Sequence, residues 1–277
     1  MFKLDSHQHF WRFDPIKYGW ITEQMNLIKG DFLPDDLKPL LDKHAIDGCI
    51  AVQSDQSEAD NAFLIELATV NPFIKGVVGW VDLQADNIEE TLQFYRQYPI
   101  VKGFRHVLQG EKDRALMLNP DFKRGIGHLH KFNYTYDLLI FQDQLIYASE
   151  LCSTFPEQKF VLDHIAKPSI KNHELGDWAK DIHILAKNPN VHCKVSGMVN
   201  EADWKNWKDE DFLPYLDLIF EAFGIKRLMF GSDWPVCITA GGYDAVIKLV
   251  QNYTAKYTEE EQSLFWGLNA SSFYDIV

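Results

Sequence analysis

Residues 227–236 read Arg-Leu-Met-Phe-Gly-Ser-Asp-Trp-Pro-Val: a short apolar run suited to a buried strand, then a glycine, a polar pair and a proline that stops it. The same polarity, apolar first and polar last, recurs in KLDSHQHF (3–10), DGCIAVQS (47–54), IKGVVGWVD (74–82), IVKGFRHVL (100–108), YTYDLLI (134–140), KFVLDHI (159–165) and NVHCKVSG (190–197). Amphipathic stretches separate these runs, among them 35–44, 58–70, 87–98, 142–155 and 178–187, with apolar residues at helical spacing. Leu33-Pro34-Asp35-Asp36 and Asn119-Pro120-Asp121 carry helix-start chemistry, proline in the first turn and acids after it. Strands alternating with helices predict βαβ units around a parallel sheet, and eight of them predict a (β/α)8 barrel of the TIM type occupying 1–277 as one domain.

A doubly wound open sheet has similar spacing, but neither GxGxxG nor GxxxxGK[ST] follows any strand, which removes its nucleotide-binding versions. A net charge of -13 repels polyanions and anionic lipid surfaces, so nucleic-acid and membrane partners are not expected. No apolar run approaches the ~20 residues a bilayer needs, and the amino end lacks the apolar stretch of a signal peptide. The expected compartment is the cytoplasm, with Cys49, Cys152, Cys193 and Cys237, which show no CxxC pairing, as reduced thiols.

On a barrel, chemistry collects where strands end. In the first strand Asp5, His7 and His9 occupy every second position, so regular pleating puts all three on one face. Two imidazoles at the barrel mouth can chelate a divalent metal, or polarise a carbonyl without one. His164 closes the sixth run and Asp233 the eighth, where a carboxylate can take a proton from water; Gly231 before it permits close backbone approach. In KGFRH, Lys102 and His106 share one parity, and Arg105 enters the site only if the strand ends at Phe104. Lys194 and Ser196 share a face near the seventh strand's end, but Ser196 lacks a nucleophile elbow. Two long connections, 11–32 and 198–211, are rich in Trp and acids and are expected over the catalytic face, bringing Trp20 and other tryptophans toward a carbohydrate-like ligand.

In order along the chain, DSHQHFW, GVVGWVDL, KGFRH, DLLI, LDHIAKP, CKVSGM and LMFGSDWPV resemble the amidohydrolase superfamily, specifically its sugar-lactonase branch of L-fuconolactonases and L-rhamnonolactonases. That resemblance implies a distorted barrel and hydrolysis of a carbonyl ester by activated water, with His7, His9, His164 and Asp233 in catalytic places. It implies a sugar lactone opened to its aldonic acid, and Arg105, His106, Lys102, Trp20 and Lys194 are the candidates for binding it. A decarboxylase of the same superfamily, or a hydrolase of pyrone-dicarboxylate or muconolactone-type rings, are the alternatives. The fifth run lacks the histidine that binuclear members use, which leaves a single divalent ion, zinc or manganese, on His7, His9, His164 and Asp233, or catalysis without metal. Expected partners are the small-molecule lactone and a second copy of the chain.

Overall fold

The computed structural model describes residues 1–276. Its strands are β1 Leu4–Gln8, β2 Gly48–Val52, β3 Ile74–Gly79, β4 Val101–His106, β5 Thr135–Leu138, β6 Phe160–Leu162, β7 Val191–Val195 and β8 Leu228–Phe230. All neighbours are parallel and follow chain order from β1 to β8. The ring closes at a seam where the chain beyond β8 meets β1: Asp233 N donates to His7 O at 2.8 Å and His9 N to Trp234 O at 2.7 Å. The result is the expected TIM-like barrel.

The helices are α1 Pro34–Lys43, α2 Glu58–Val70, α3 Ile88–Tyr95, α4 Pro120–Lys131, α5 Leu145–Thr154, α6 Gly176–Leu185, α7 Asp209–Phe223, α8 Tyr243–Thr254, α9 Glu259–Ser263 and α10 Asn269–Phe273. Their starts follow local chemistry. Asn119 Oδ1 accepts from Asp121 N at 2.9 Å ahead of Pro120, and Asp36 Oδ2 accepts from Leu33 N at 2.8 Å. No helix among the described residues is long and apolar enough to cross a membrane.

Two apolar layers hold the barrel. The outer one packs strand residues such as Cys49, Val77, Phe104 and Cys193 against the helices. The inner one fills the barrel's lower half with Leu4, Ile50, Val78, Val161 and Met229, plugged from below by Ala270, Phe273 and Tyr274 at the α10 end. Packing the lower interior with hydrocarbon leaves polar side chains only toward the strands' C-terminal ends.

Irregular pairing decides which side chains those are. In β1 the steps Asp5↔Cys49 and Gln8↔Ala51 set three residues against two, a β-bulge. Asp5 therefore faces the helices, where its carboxylate accepts from Ser232 N at 2.9 Å and the Tyr243 hydroxyl at 3.1 Å, while His7 faces the barrel axis. This corrects the expectation that Asp5, His7 and His9 share one face: the extra residue shifts the alternation between Asp5 and His7. A second irregularity, Val77↔Val101 then Val78↔Gly103, does the same in β4. Phe104 packs outward, Arg105 turns inward, and Lys102 is left at the N-terminal end of the barrel, donating to Asp275 O at 2.9 Å.

The long connection after β1 is self-supporting. Trp11 and Phe32 bond reciprocally at 3.0 and 2.9 Å, and Trp11, Tyr18, Ile21 and Ile28 form their own small core.

Candidate active site

A cavity of about 520 Å³ opens at the C-terminal ends of the strands. His9, Arg105, His164 and Asp233 lie at its reactive end; Lys17, Trp20, Gln109, Lys167, Glu201 and Trp204 line its walls.

The floor is built from three strand ends. Asp233 Oδ1 lies 3.3 Å from His9 Nε2, 3.8 Å from His7 Nε2 and 3.8 Å from His164 Nε2. The two Nε2 atoms of His7 and His9 are 3.2 Å apart. Each imidazole is held by its other nitrogen: His9 Nδ1 meets Val52 O at 2.8 Å, His164 Nδ1 meets Ser196 Oγ at 2.9 Å, and His7 Nδ1 lies 3.2 Å from Asp163 Oδ1. Anchoring from behind fixes ring orientation and aims each Nε2 at a common point.

The backbone is bent to achieve this. His164, Ile165, Ala166 and Lys167 all have positive φ (53°, 48°, 61° and 51°), a left-handed turn without a single glycine. Each such residue costs roughly 1–2 kcal/mol, and Trp178, donating to Ile165 O at 2.8 Å, helps hold the turn from outside. Gly197 is required beside it, because a Cβ there would sit 2.5 Å from His164 Nδ1. Gly231 plays the same part for β1, where a Cβ would lie 2.7 Å from that of His7.

Beneath the histidines lies a buried ionic layer. Lys194 Nζ is 2.5 Å from Asp137 Oδ2, 3.1 Å from Asp163 Oδ1 and 3.1 Å from His7 Nδ1. Arg105 Nη1 bonds Asp163 Oδ2 at 3.0 Å and lies 3.3 Å from His7 Nε2, and its Nη2 donates to Gln53 O at 2.6 Å. The Tyr274 hydroxyl reaches up from the inner apolar layer to donate to Asp137, 3.0 Å away. Two carboxylates and two cations balance, as buried charges must.

Burial drives the His7 and His164 imidazoles well below their usual range, so both are neutral near pH 7. Burial also pushes the Asp233 carboxyl upward, but His164, His9 and Lys167 outweigh it and hold the group below its ordinary value, ionised and able to accept a proton. Asp163 is likewise held well below: burial opposes ionisation, and Lys194, His7 and Arg105 overcome it. Asp137 behaves oppositely, pushed up to about 6 by burial and the neighbouring Asp163 charge despite Lys194.

These donors suit a divalent cation. Two neutral imidazoles and a carboxylate, His7, His164 and Asp233, offer ligand atoms all within 4.8 Å of one another, and His9 Nε2 adds a fourth. Ligands about 2.1 Å from a tetrahedral ion are separated by roughly 3.4 Å, against the 3.2–3.8 Å found here. His7, Asp137 and Asp163 form a second such group, but Lys194 already lies between them.

The structure thus gathers His7, His9, His164, Asp233 and Arg105 and sets Trp20, 44% exposed, on the cavity wall. Lys194 lies under the floor with no exposure, so it supports His7 and does not line the cavity. His106 turns out of the barrel to Glu111, at 2.8 Å, and to the indole nitrogen of Trp80, at 3.2 Å. Lys102 and His106 do not line the cavity: Lys102 lies at the opposite, N-terminal end of the barrel and His106 faces outward. Asp163, Gln53 and Tyr274 are neighbours that sequence reading passed over, and Ser196, weighed there only as a nucleophile, instead holds His164 Nδ1. Asp163 carried one signal, its place directly before His164.

The amidohydrolase family profile matches residues 4–276, essentially the whole described barrel. The chain belongs to the amidohydrolase family. This amidohydrolase is 40% identical over 98% of its length to the L-fucono-1,5-lactonase of Burkholderia multivorans, covering 95% of that protein. It is 31% identical over 99% of its length to the L-fucono-1,5-lactonase of Burkholderia ambifaria, covering 96% of it. A crystal structure of a Burkholderia multivorans amidohydrolase with bound zinc superposes with a TM-score of 0.96 at 40% identity, covering both chains completely. The amidohydrolase is a hydrolase.

Proposed function

We propose that this hydrolase opens a sugar 1,5-lactone of the L-fuconolactone type to its aldonic acid, using Asp233 as the base. The observation that carries the reading is Asp233 Oδ1 at 3.3–3.8 Å from three imidazole Nε2 atoms on the cavity floor. Two lactonases aligned over nearly the whole chain support the substrate class.

Water held beside Asp233 gives its proton to the carboxylate as its oxygen bonds to the lactone carbonyl carbon. Arg105, turned into the cavity by the β4 irregularity, faces the oxygen on which negative charge develops; a well-placed donor contributes about 3 kcal/mol or more to such a step. As the ring C–O bond breaks, Asp233 returns the proton to the departing alkoxide, leaving a carboxylic acid and a free hydroxyl. The guanidinium is already fixed by Gln53 O and Asp163, so it needs no reorganisation when charge appears.

His7, His9, His164 and Asp233 would hold one divalent ion, for which the zinc-bound relative supports zinc. When bound, such an ion lowers the pKa of water and polarises a carbonyl. Four buried, unpaired cysteines support a reducing compartment such as the cytosol.

The reading is tested by following acid release from a panel of aldonolactones, with enzyme as purified and after chelation. Release from 1,5-lactones is expected. Carbon dioxide from an aromatic acid, with no lactone opened, would replace this reading with a decarboxylase.

A further inference from the structure

One wall of the cavity carries an ion pair that the hydrolytic steps leave unused. Lys167 is the last residue of the left-handed turn that begins at His164, and Glu201 ends the short helical turn Met198–Glu201 after β7. Both line the cavity. Their charged atoms are 3.7 Å apart, beyond hydrogen-bond reach, so the pair is close but not closed. The side chains are only 19% and 23% exposed. Lys167 follows His164 by three residues and lines the same cavity as His164 and Asp233.

A hydroxyl group is both donor and acceptor. An ammonium beside a carboxylate, with a gap between them, supplies what an alcohol needs on both sides. Partial burial raises the Glu201 carboxyl above its ordinary value. Amide side chains of Gln109 and Asn200 lie in the same cavity, and a second ammonium–carboxylate pair, Lys17 with Asp55 at 3.3 Å, lines it too. A strained turn of four residues does more than present His164. Its last residue is carried into the cavity as well.

We propose that Lys167 and Glu201 clamp a ring hydroxyl of the lactone beside the reacting carbonyl, and so select polyhydroxylated lactones over unsubstituted ones. The clamp rests on the lactonase reading above. Lys167 donates to the hydroxyl oxygen, Glu201 accepts its hydrogen, and the Glu201 charge disfavours a substrate bearing a carboxylate at that position.

The test compares kcat/KM for the best 1,5-aldonolactone of the panel with kcat/KM for δ-valerolactone, which has the ring without its hydroxyls. Lys167→Gly, which removes the ammonium and suits the left-handed backbone, Lys167→Met and Glu201→Gln are each measured on both. The ratio of the two constants is independent of how much of a variant folds. It is expected to fall about tenfold or more in each, the size of a lost charged hydrogen bond. A ratio within twofold of wild type in all three overturns the clamp. Wild-type enzyme that opens neither lactone removes the lactonase reading, and the clamp with it, before any variant is made.

Discussion

Lys194 Nζ lies 3.1 Å from His7 Nδ1, on the side of the imidazole away from the cavity, with no part of the lysine exposed. The same ammonium is shared by Asp137 and Asp163. Replacing it with methionine leaves two acids in the barrel interior with Arg105 as their remaining cationic neighbour. Lys194→Met is expected to lose about 3–5 kcal/mol of stability, the usual consequence of removing one partner from a buried pair. Urea unfolding reads this directly. Adding Asp137→Asn should recover part of the loss, and no recovery would mean that Asp137 is not charged against Lys194.

Asp233 sits at φ 57°, a left-handed conformation that asparagine tolerates well. Asp233→Asn should therefore fold with a melting temperature within a few degrees of wild type, while kcat falls by at least ~10²-fold, the low end for loss of a general base. Stopped-flow acid release with a pH indicator measures the rate. Activity within tenfold of wild type would remove Asp233 from its assigned place.

Zinc titrated calorimetrically into metal-free protein should bind at one ion per chain. His9→Asn and His164→Asn should each weaken binding by roughly tenfold or more, and Ser196→Ala, which releases His164 Nδ1, should weaken it less. Zero stoichiometry in the wild type would show that the four donors work without an ion.

His192 gives the pH dependence of stability a separate handle, because it lies on β7 against the Phe273 ring, 4.8 Å between centroids. Burial, with Arg227 and Lys159 nearby, pushes its imidazole down to about 4 from an ordinary 6.5. Between those values the unfolded chain binds the proton and the folded one does not, so this residue's contribution is present above pH 6.5 and lost as pH falls toward 4. The loss is at most about 3 kcal/mol. His192→Leu should flatten the wild-type decline over that window by up to this amount; curves that stay parallel would put His192 outside the acid response.

How far the sequence alone reveals this site depends on what each residue's neighbours do. The barrel is legible because eight apolar runs with polar ends repeat at regular spacing, and Gly231 before Asp233 announces a close approach that the structure realises against His7. His164 and Asp233 stand out because each ends an otherwise apolar run, and His7 and His9 because they recur at every second position. Parity is less readable. One extra residue in β1 turns Asp5 outward, and another irregularity in β4 brings Arg105 in and turns His106 out. Bulges depend on pairing with the neighbouring strand, which a single run of letters does not contain. Tyr274 is invisible for a related reason: its hydroxyl meets Asp137 from 137 residues away in the chain.

The seam between β1 and the chain beyond β8 has a consequence for how the enzyme comes into being. His7 and His9 lie far before Asp233 in the chain, and the hydrogen bonds Asp233 N to His7 O and His9 N to Trp234 O are what bring them together. A growing chain, or one cut before residue 233, can own most of its helices and strands and still have no reactive centre. Catalysis in this molecule requires that closure, so during refolding turnover returns no earlier than the moment when β1 meets the segment beyond β8.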